Sequence, residues 1–146
     1  TNTDGTHITQ PNKDTIAVAI KKALASAGLA PEDIGYVNAH GTATTLGDIA
    51  ESQATLAAFN RQVPISSLKS YIGHTLGACG ALEAIVAIER LRNNWYHPTL
   101  NLENLDERCA ELDYITGAGR VMDNAYVMSN NFAFGGINTS LIFKRI

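Results

Sequence analysis

An α/β layered fold with a mixed sheet is predicted by three observations. Two short apolar, partly β-branched runs, Ile34 to Ala39 and Val63 to Ser67, alternate with stretches of helical periodicity. Two further strand-like runs, Ala125 to Ser129 and Asn138 to Lys144, follow in quick succession, joined by Phe132-Ala133-Phe134-Gly135-Gly136. The chain has 146 residues, 45% hydrophobic and 17% charged, the size and make-up of one modest domain with a real core. Helical crossovers imply parallel strand pairs and a tight connection implies an antiparallel one, so the sheet should contain both.

Taken in order, Thr1 to Pro11 is polar and turn-like, with no initiator methionine and no strand before it, which reads as an internal cut of a longer protein. Asn12 to Ala27 is predicted helical because Ile16, Ile20, Ala23, Leu24 and Ala27 recur at helical spacing. Gly28 supplies a stop and Pro31 lies just beyond. The strand Ile34 to Ala39 runs into a loop, His40-Gly41-Thr42-Ala43-Thr44-Thr45. Gly47 to Phe59 is the next helix, with Asp48 and Glu51 in its opening turn, where the helix dipole favours acids. After the strand Val63 to Ser67, His74 to Arg92 is predicted as one long helix, apolar on most sides and therefore buried. Asn94 to Leu112 is a long polar connection, and Tyr114-Ile115-Thr116 a short strand. His40 and Lys69 both fall at the C-terminal ends of parallel strands, where α/β sheets place their sites.

A net charge of −3 suggests neither a nucleic-acid nor a membrane surface. No apolar run reaches membrane-spanning length, and no charged-then-apolar leader is seen. Cys79 and Cys109 have neither metal-ligand spacing nor a disulfide framework, so a reducing cytoplasm is the expected setting.

The stretch Ser66 to Glu83 crowds a lysine, a histidine, three glycines and a glutamate into the entry of an apolar helix. Each of Gly73, Gly77 and Gly80 would cost about 1 kcal/mol relative to alanine inside a helix. His74 is expected at the helix N-terminus, where the dipole favours a neutral imidazole able to donate to a carbonyl oxygen. Such an entry suits a site that manages negative charge developing on oxygen.

Three motifs in order, Val-Asn-Ala-His-Gly-Thr-Ala-Thr (37–44), Lys-Ser-Tyr-Ile-Gly-His-Thr (69–75) and Asn-Asn-Phe-Ala-Phe-Gly-Gly-Ile-Asn (130–138), resemble the β-ketoacyl-acyl-carrier-protein synthases, above all synthase II of fatty acid synthesis. Polyketide ketosynthases are similar too. The resemblance covers nearly the whole chain and implies a thiolase-like fold, of which residues 1–146 would be most of the C-terminal half. The family's Asp-x-x-His-x-Thr-x-Pro segment is matched by Asp4, His7, Thr9 and Pro11. By the same comparison the strand preceding Asp4, central in that half, would be missing. So would the whole N-terminal half with its nucleophilic cysteine, leaving the chain inactive alone.

The resemblance also implies roles. His40 and His74 would be the paired neutral donors to thioester oxygen during decarboxylation of malonyl-carrier protein. Read alone, His40 is equally a loop histidine capping a turn. Lys69, by itself a surface lysine, would support the histidines, and Glu83 would pair with it. Thr42, Thr44 and Thr9 would bond the phosphopantetheine arm, although threonines at turns often bond nearby backbone instead. Phe134 would gate the acyl pocket beside Phe132 and lend its backbone N–H to an oxyanion hole. Cys79, near a histidine, invites reading as a nucleophile, but one turn or more inside an apolar helix, on the face of Leu82 and Val86, it would be an inert small hydrophobe.

The expected reaction is decarboxylative Claisen condensation of an acyl thioester with a malonyl thioester. It needs no metal and no redox cofactor, because the phosphopantetheine belongs to the acyl carrier protein partner. The full-length relative would be a homodimer. Thr45-Leu46-Gly47-Asp48 and Lys69-Ser70-Tyr71-Ile72 lean toward polyketide synthases, Asn38 and the 130–138 motif toward fatty-acid synthase II, and Ala133 stands where bacterial relatives commonly have glycine. A polyketide or polyene ketosynthase and a non-condensing chain-length-factor subunit stay as alternatives. Retention of His40, Lys69 and His74 speaks against the second.

Overall fold

A computed structural model describes residues 1–5 and 10–146. A six-stranded mixed sheet is formed by β1 (Asn2–Thr3), β2 (Ile34–Asn38), β3 (Pro64–Ser66), β5 (Asp113–Tyr114), β7 (Tyr126–Ala133) and β8 (Ile137–Lys144). Their order is β1-β8-β7-β2-β3-β5. β2 runs parallel to β3 and β7, and β3 parallel to β5, while β7–β8 and β8–β1 are antiparallel. A separate pair, β4 (Trp95–Tyr96) with β6 (Arg120–Val121), braces the long connection and was not foreseen from its polar sequence.

Helices cover both faces. Strand side chains alternate sides, so Val37 and Met128 enter one core and Tyr36 and Val127 the other. Helix α1 (Lys13–Ala27) brings Ile16, Ile20 and Leu24 to the first core, and α2 (Thr45–Phe59) brings Ala54, Ala58 and Phe59. Helix α4 (Cys79–Asn93) contributes Ala87 and Leu91 to the second. The ends of α1 match its sequence signals. The Asn12 side chain accepts from the N–H groups of Asp14 and Thr15, and Gly28 closes the helix in the left-handed region. Helix α2 starts at Thr45, two residues before the expected Gly47, because the Asp48 N–H already donates to the Thr44 carbonyl at 2.9 Å.

The predicted helix from His74 to Arg92 is not one helix. A short helix α3 (Lys69–Ile72) is followed by Gly73 at φ +72°, Leu76 at φ +53°, a 3-10 turn over Leu76–Ala78, and only then α4. Positive φ cannot continue a right-handed helix, so His74 lies in the loop, not at a helix N-terminus. Nor is α4 buried on most sides. Cys79, Glu83, Ala87 and Leu91 form one inward stripe at four-residue spacing, whereas Ile85 is 58% exposed. The residues just before Asp4 do form a strand, β1, and it lies at the sheet edge against β8, not at the centre. Strand β7 extends through Phe132 and Ala133, so the tight turn is Phe134–Gly136 alone. Gly135 at φ +76° and Gly136 at φ +74° make that turn possible. Among the described residues no helix is long and apolar enough to cross a membrane.

Candidate active site

The site forms where β2, β3 and β7 end and α2, α3 and α4 begin. His40 follows β2 directly, and its backbone is held by acids of α2. Glu51 accepts the His40 N–H at 2.8 Å with one carboxylate oxygen and the Gly41 N–H at 2.7 Å with the other. Asp48, one turn earlier, takes hydrogen bonds from the backbone of Thr42 and Ala43. Four consecutive amides of the loop are thus fixed by two side chains. Burial pushes the Glu51 carboxyl up to about 7 against the pull of those two N–H donors, and burial also raises Asp48. Just after β3, the Ser67 hydroxyl donates to the Gly41 carbonyl at 2.9 Å and accepts the Lys69 N–H at 3.3 Å. A Cβ on Gly41 would lie 2.6 Å from that hydroxyl oxygen, so the close approach needs glycine.

Lys69 is buried, with its ammonium 2.5 Å from Glu83 Oε1 and 3.2 Å from His40 Nδ1. An ammonium only donates, so His40 Nδ1 accepts and the imidazole proton sits on Nε2. Burial, then the charge of Lys69, then His74 bring the His40 pKa down to about 3, with an Asn131 side-chain hydrogen bond opposing them. His40 is therefore neutral at pH 7. His74 has the same tautomer by a different route, since its Nδ1 accepts the Leu76 N–H at 3.0 Å. That bond, not a helix dipole, sets its proton position. The two rings stand edge to face with centroids 5.4 Å apart, and Phe132 packs against His40 at 5.9 Å.

Fully buried Glu83 uses both oxygens: Oε1 receives Lys69 and Oε2 the Asn131 amide at 2.9 Å. Burial raises its carboxyl pKa, and the Lys69 and Asn131 donors hold it back. His40, His74, Thr42, Thr44, Phe132 and Phe134 all line one cavity of about 640 Å³. The Thr42 and Thr44 hydroxyls bond each other at 2.9 Å. Gly47 makes room for both, because a Cβ there would lie 2.5 Å from Thr44 Oγ1. Phe134 is 62% exposed on its turn at the cavity rim.

His40, Lys69, His74, Glu83 and Phe132 therefore come together as one cluster, with Thr42, Thr44 and Phe134 on its walls. Thr9 and His7 lie outside the described residues. Cys79 opens α4 and is not a turn inside it. Its buried Sγ donates to the Leu76 carbonyl at 2.9 Å, while Leu82, expected beside it in the core, is 39% exposed. Sequence reasoning gave no role to Ser67 or Asn131, and read Asp48 and Glu51 only as partners of the helix dipole. The one available signal for Glu51 was its place beside Ala50 and Ala54 on the small-residue face of α2, which turns inward.

Residues 1–103 match the family model of the β-ketoacyl synthase C-terminal domain. The chain belongs to that family. It is 43% identical over 144 residues to the chloroplastic 3-oxoacyl-[acyl-carrier-protein] synthase II of Arabidopsis thaliana, covering 96% of this chain and 27% of the relative. A solved β-ketoacyl synthase from Burkholderia phymatum superposes with a TM-score of 0.97 at 63% identity, over 99% of this chain and 36% of that one. A type II polyketide ketosynthase, solved in complex with its acyl-carrier protein and bound to the hexaketide, superposes with a TM-score of 0.92 at 30% identity, over 99% and 36% of the two chains. The chain thus spans about a third of the length of its relatives and has their thiolase-like layering.

Proposed function

We propose that this chain is the C-terminal, carbonyl-handling part of a 3-oxoacyl-acyl-carrier-protein synthase acting in fatty acid biosynthesis. The observation that carries this reading is the pair of neutral imidazoles, His40 and His74, each with its proton on Nε2 and both facing one cavity. Decarboxylation of a malonyl thioester breaks the bond between the α-carbon and the carboxylate. CO2 leaves and the electron pair passes onto the thioester oxygen as an enolate. Two neutral N–H donors stabilise that oxygen and, unlike imidazolium, do not hand it a full proton. The enolate carbon then attacks an acyl thioester, forming a carbon–carbon bond and expelling a cysteine thiolate.

That cysteine belongs to the rest of the full-length protein, and Cys79 is not it: buried at the start of α4, its thiol donates to the Leu76 carbonyl, and the nearby His74 Nδ1 is already taken by the Leu76 N–H. Lys69, paired with Glu83, fixes the tautomer of His40. Thr42, Thr44 and Thr9 hold the phosphopantetheine arm brought by the acyl carrier protein. Phe134, on the turn that Gly135 and Gly136 make, opens and closes the acyl pocket beside Phe132 and offers its backbone N–H to the oxyanion. The reaction is redox-neutral and the thioester carbonyl is its own electron sink, so it calls for no metal and no further cofactor. The full-length protein acts as a cytoplasmic homodimer, and this chain alone does not condense.

A polyketide ketosynthase with the same chemistry is the second reading, favoured by the similarity to the ketosynthase solved with a hexaketide. Full-length protein supplied with malonyl- and acyl-carrier proteins should release CO2 and form the 3-oxoacyl product, seen by mass spectrometry. A single two-carbon extension across a panel of fatty acyl chains supports the fatty-acid reading, and iterated unreduced extension the second. No CO2 release in the presence of both substrates would overturn the proposal.

A further inference from the structure

Glu83 is a carboxylate without access to water, and the residues facing it come from four elements. Lys69 of α3 reaches Oε1, Asn131 of β7 donates to Oε2, His74 approaches from the loop after α3, and Tyr36 lies across from it on β2. Only two of these make hydrogen bonds to the carboxylate, and Asn131 is the only uncharged one. With its amide nitrogen committed to Glu83, the side chain of Asn131 also meets His40. The contacts close a ring, His40–Lys69–Glu83–Asn131–His40. In this ring the ionised Glu83 carboxylate is the counter-charge that holds the Lys69 ammonium beside His40 Nδ1.

We infer that Asn131 is a positioning residue: its amide keeps the buried Glu83 ionised, and through Glu83 it keeps Lys69 locked against His40. A buried carboxylate that loses one charge-assisted hydrogen bond keeps its proton to higher pH. Protonated Glu83 leaves the buried Lys69 ammonium without a counter-charge, and the ion pair that holds it against His40 Nδ1 is lost. Burial favours the protonated form of Glu83, and the Lys69 and Asn131 hydrogen bonds oppose it. The inference rests on the proposed condensing reaction for its kinetic arm and on burial and bonding alone for its second arm.

The test uses the full-length protein carrying Asn131→Leu, and separately the same-shaped Asn131→Asp should the leucine variant fail to fold. Malonyl-carrier-protein decarboxylation is measured across pH. The acid limb of kcat should move up by about one to two pH units, with activity recovering toward wild type at the alkaline end. A residue that merely holds the fold would lower the whole profile by a constant factor, and parallel profiles overturn the inference. The second arm is thermal melting across pH without substrate. Because Glu83 in the variant binds its proton more tightly when folded, the variant is least stable relative to wild type at high pH, and the gap closes as pH falls. A gap independent of pH also overturns the inference. Should wild type release no CO2, the proposed reaction fails and the melting series alone decides the role of Asn131.

Discussion

Glu51 holds His40 by its backbone, not its ring: its two oxygens accept the N–H groups of His40 and Gly41 at 2.8 and 2.7 Å from inside the fold. Glu51→Gln keeps the shape but turns an NH2 group toward one of those donors. We expect a loss of stability of about 1–3 kcal/mol for the unmatched amide and at least a tenfold fall in decarboxylation by the full-length protein. Urea unfolding and CO2 release measure the two. Undiminished activity would show that the loop is held by other contacts.

The pH dependence of stability has two opposing parts. Glu51 has a folded pKa of about 7 against an ordinary 4.5, so the folded state binds this proton more tightly. Its contribution favours folding below 4.5 and is lost as pH rises through about 7. His40 is displaced the other way, to about 3 from 6.5, so the unfolded state takes its proton first and stability is lost as pH falls below 6.5. In wild type the two slopes offset each other between 4.5 and 6.5. Glu51→Gln should unmask a steeper acid loss there, read as melting temperature against pH.

His97 is a buried histidine with neither ring nitrogen hydrogen-bonded among the described residues, packed against Tyr36 and Tyr71. Burial, then the charge of Arg90, lower its pKa to about 4. Folding therefore loses stability as pH falls from 6.5 toward 4. His97→Leu should raise stability at pH 5 by about 2 kcal/mol relative to wild type, with little change at pH 8. Equal effects at both values would contradict a neutral buried imidazole.

Gly136 sits at φ +74°, and a Cβ there would fall 1.7 Å from Asp4 Oδ1, beside the bond from the Asp4 N–H to the Gly136 carbonyl. Gly136→Ala should displace Asp4, lower stability by at least about 1 kcal/mol, and slow condensation through the Phe134 turn. Melting temperature and single-turnover acyl transfer give the two readouts.

Cys79→Ala removes a thiol bonded to the Leu76 carbonyl at the wall of the cavity, 3.6 Å from His74 Nδ1, while His74 keeps the Leu76 N–H that sets its tautomer. Activity of the full-length protein should stay within about twofold of wild type, with a stability cost of about 1 kcal/mol. Abolished condensation would make Cys79 a participant and overturn the reading of a nucleophile elsewhere.

Much of this fold is legible in the sequence. Helix α1 was read correctly because its cap, its period and its stop agree with one another. The βα alternation fixed which strand ends would carry His40 and Lys69. The Lys69–Glu83 pair is legible only through the family resemblance, since Lys69 by itself reads as a surface lysine; the structure shows the pair buried. The expected helix start at His74 fails over residues 74–78, which form a loop and a 3-10 turn ahead of α4. Positive φ at Gly73 and Leu76 breaks the chain there, a backbone feature that no hydrophobic pattern records. The outward face of α4 failed for the same reason, since its apolar residues say nothing about which of them the sheet covers. Glu51 and Asn131 were missed because their work is done across the fold, on residues 11 and 48 positions away along the chain.

The most direct test is CO2 release from malonyl-carrier protein by the full-length protein carrying His40→Ala or His74→Ala. Each variant should lose about 10²–10³ in rate, the effect of one missing oxyanion donor. Wild-type rates in either variant would contradict the central claim that these two imidazoles stabilise the developing enolate.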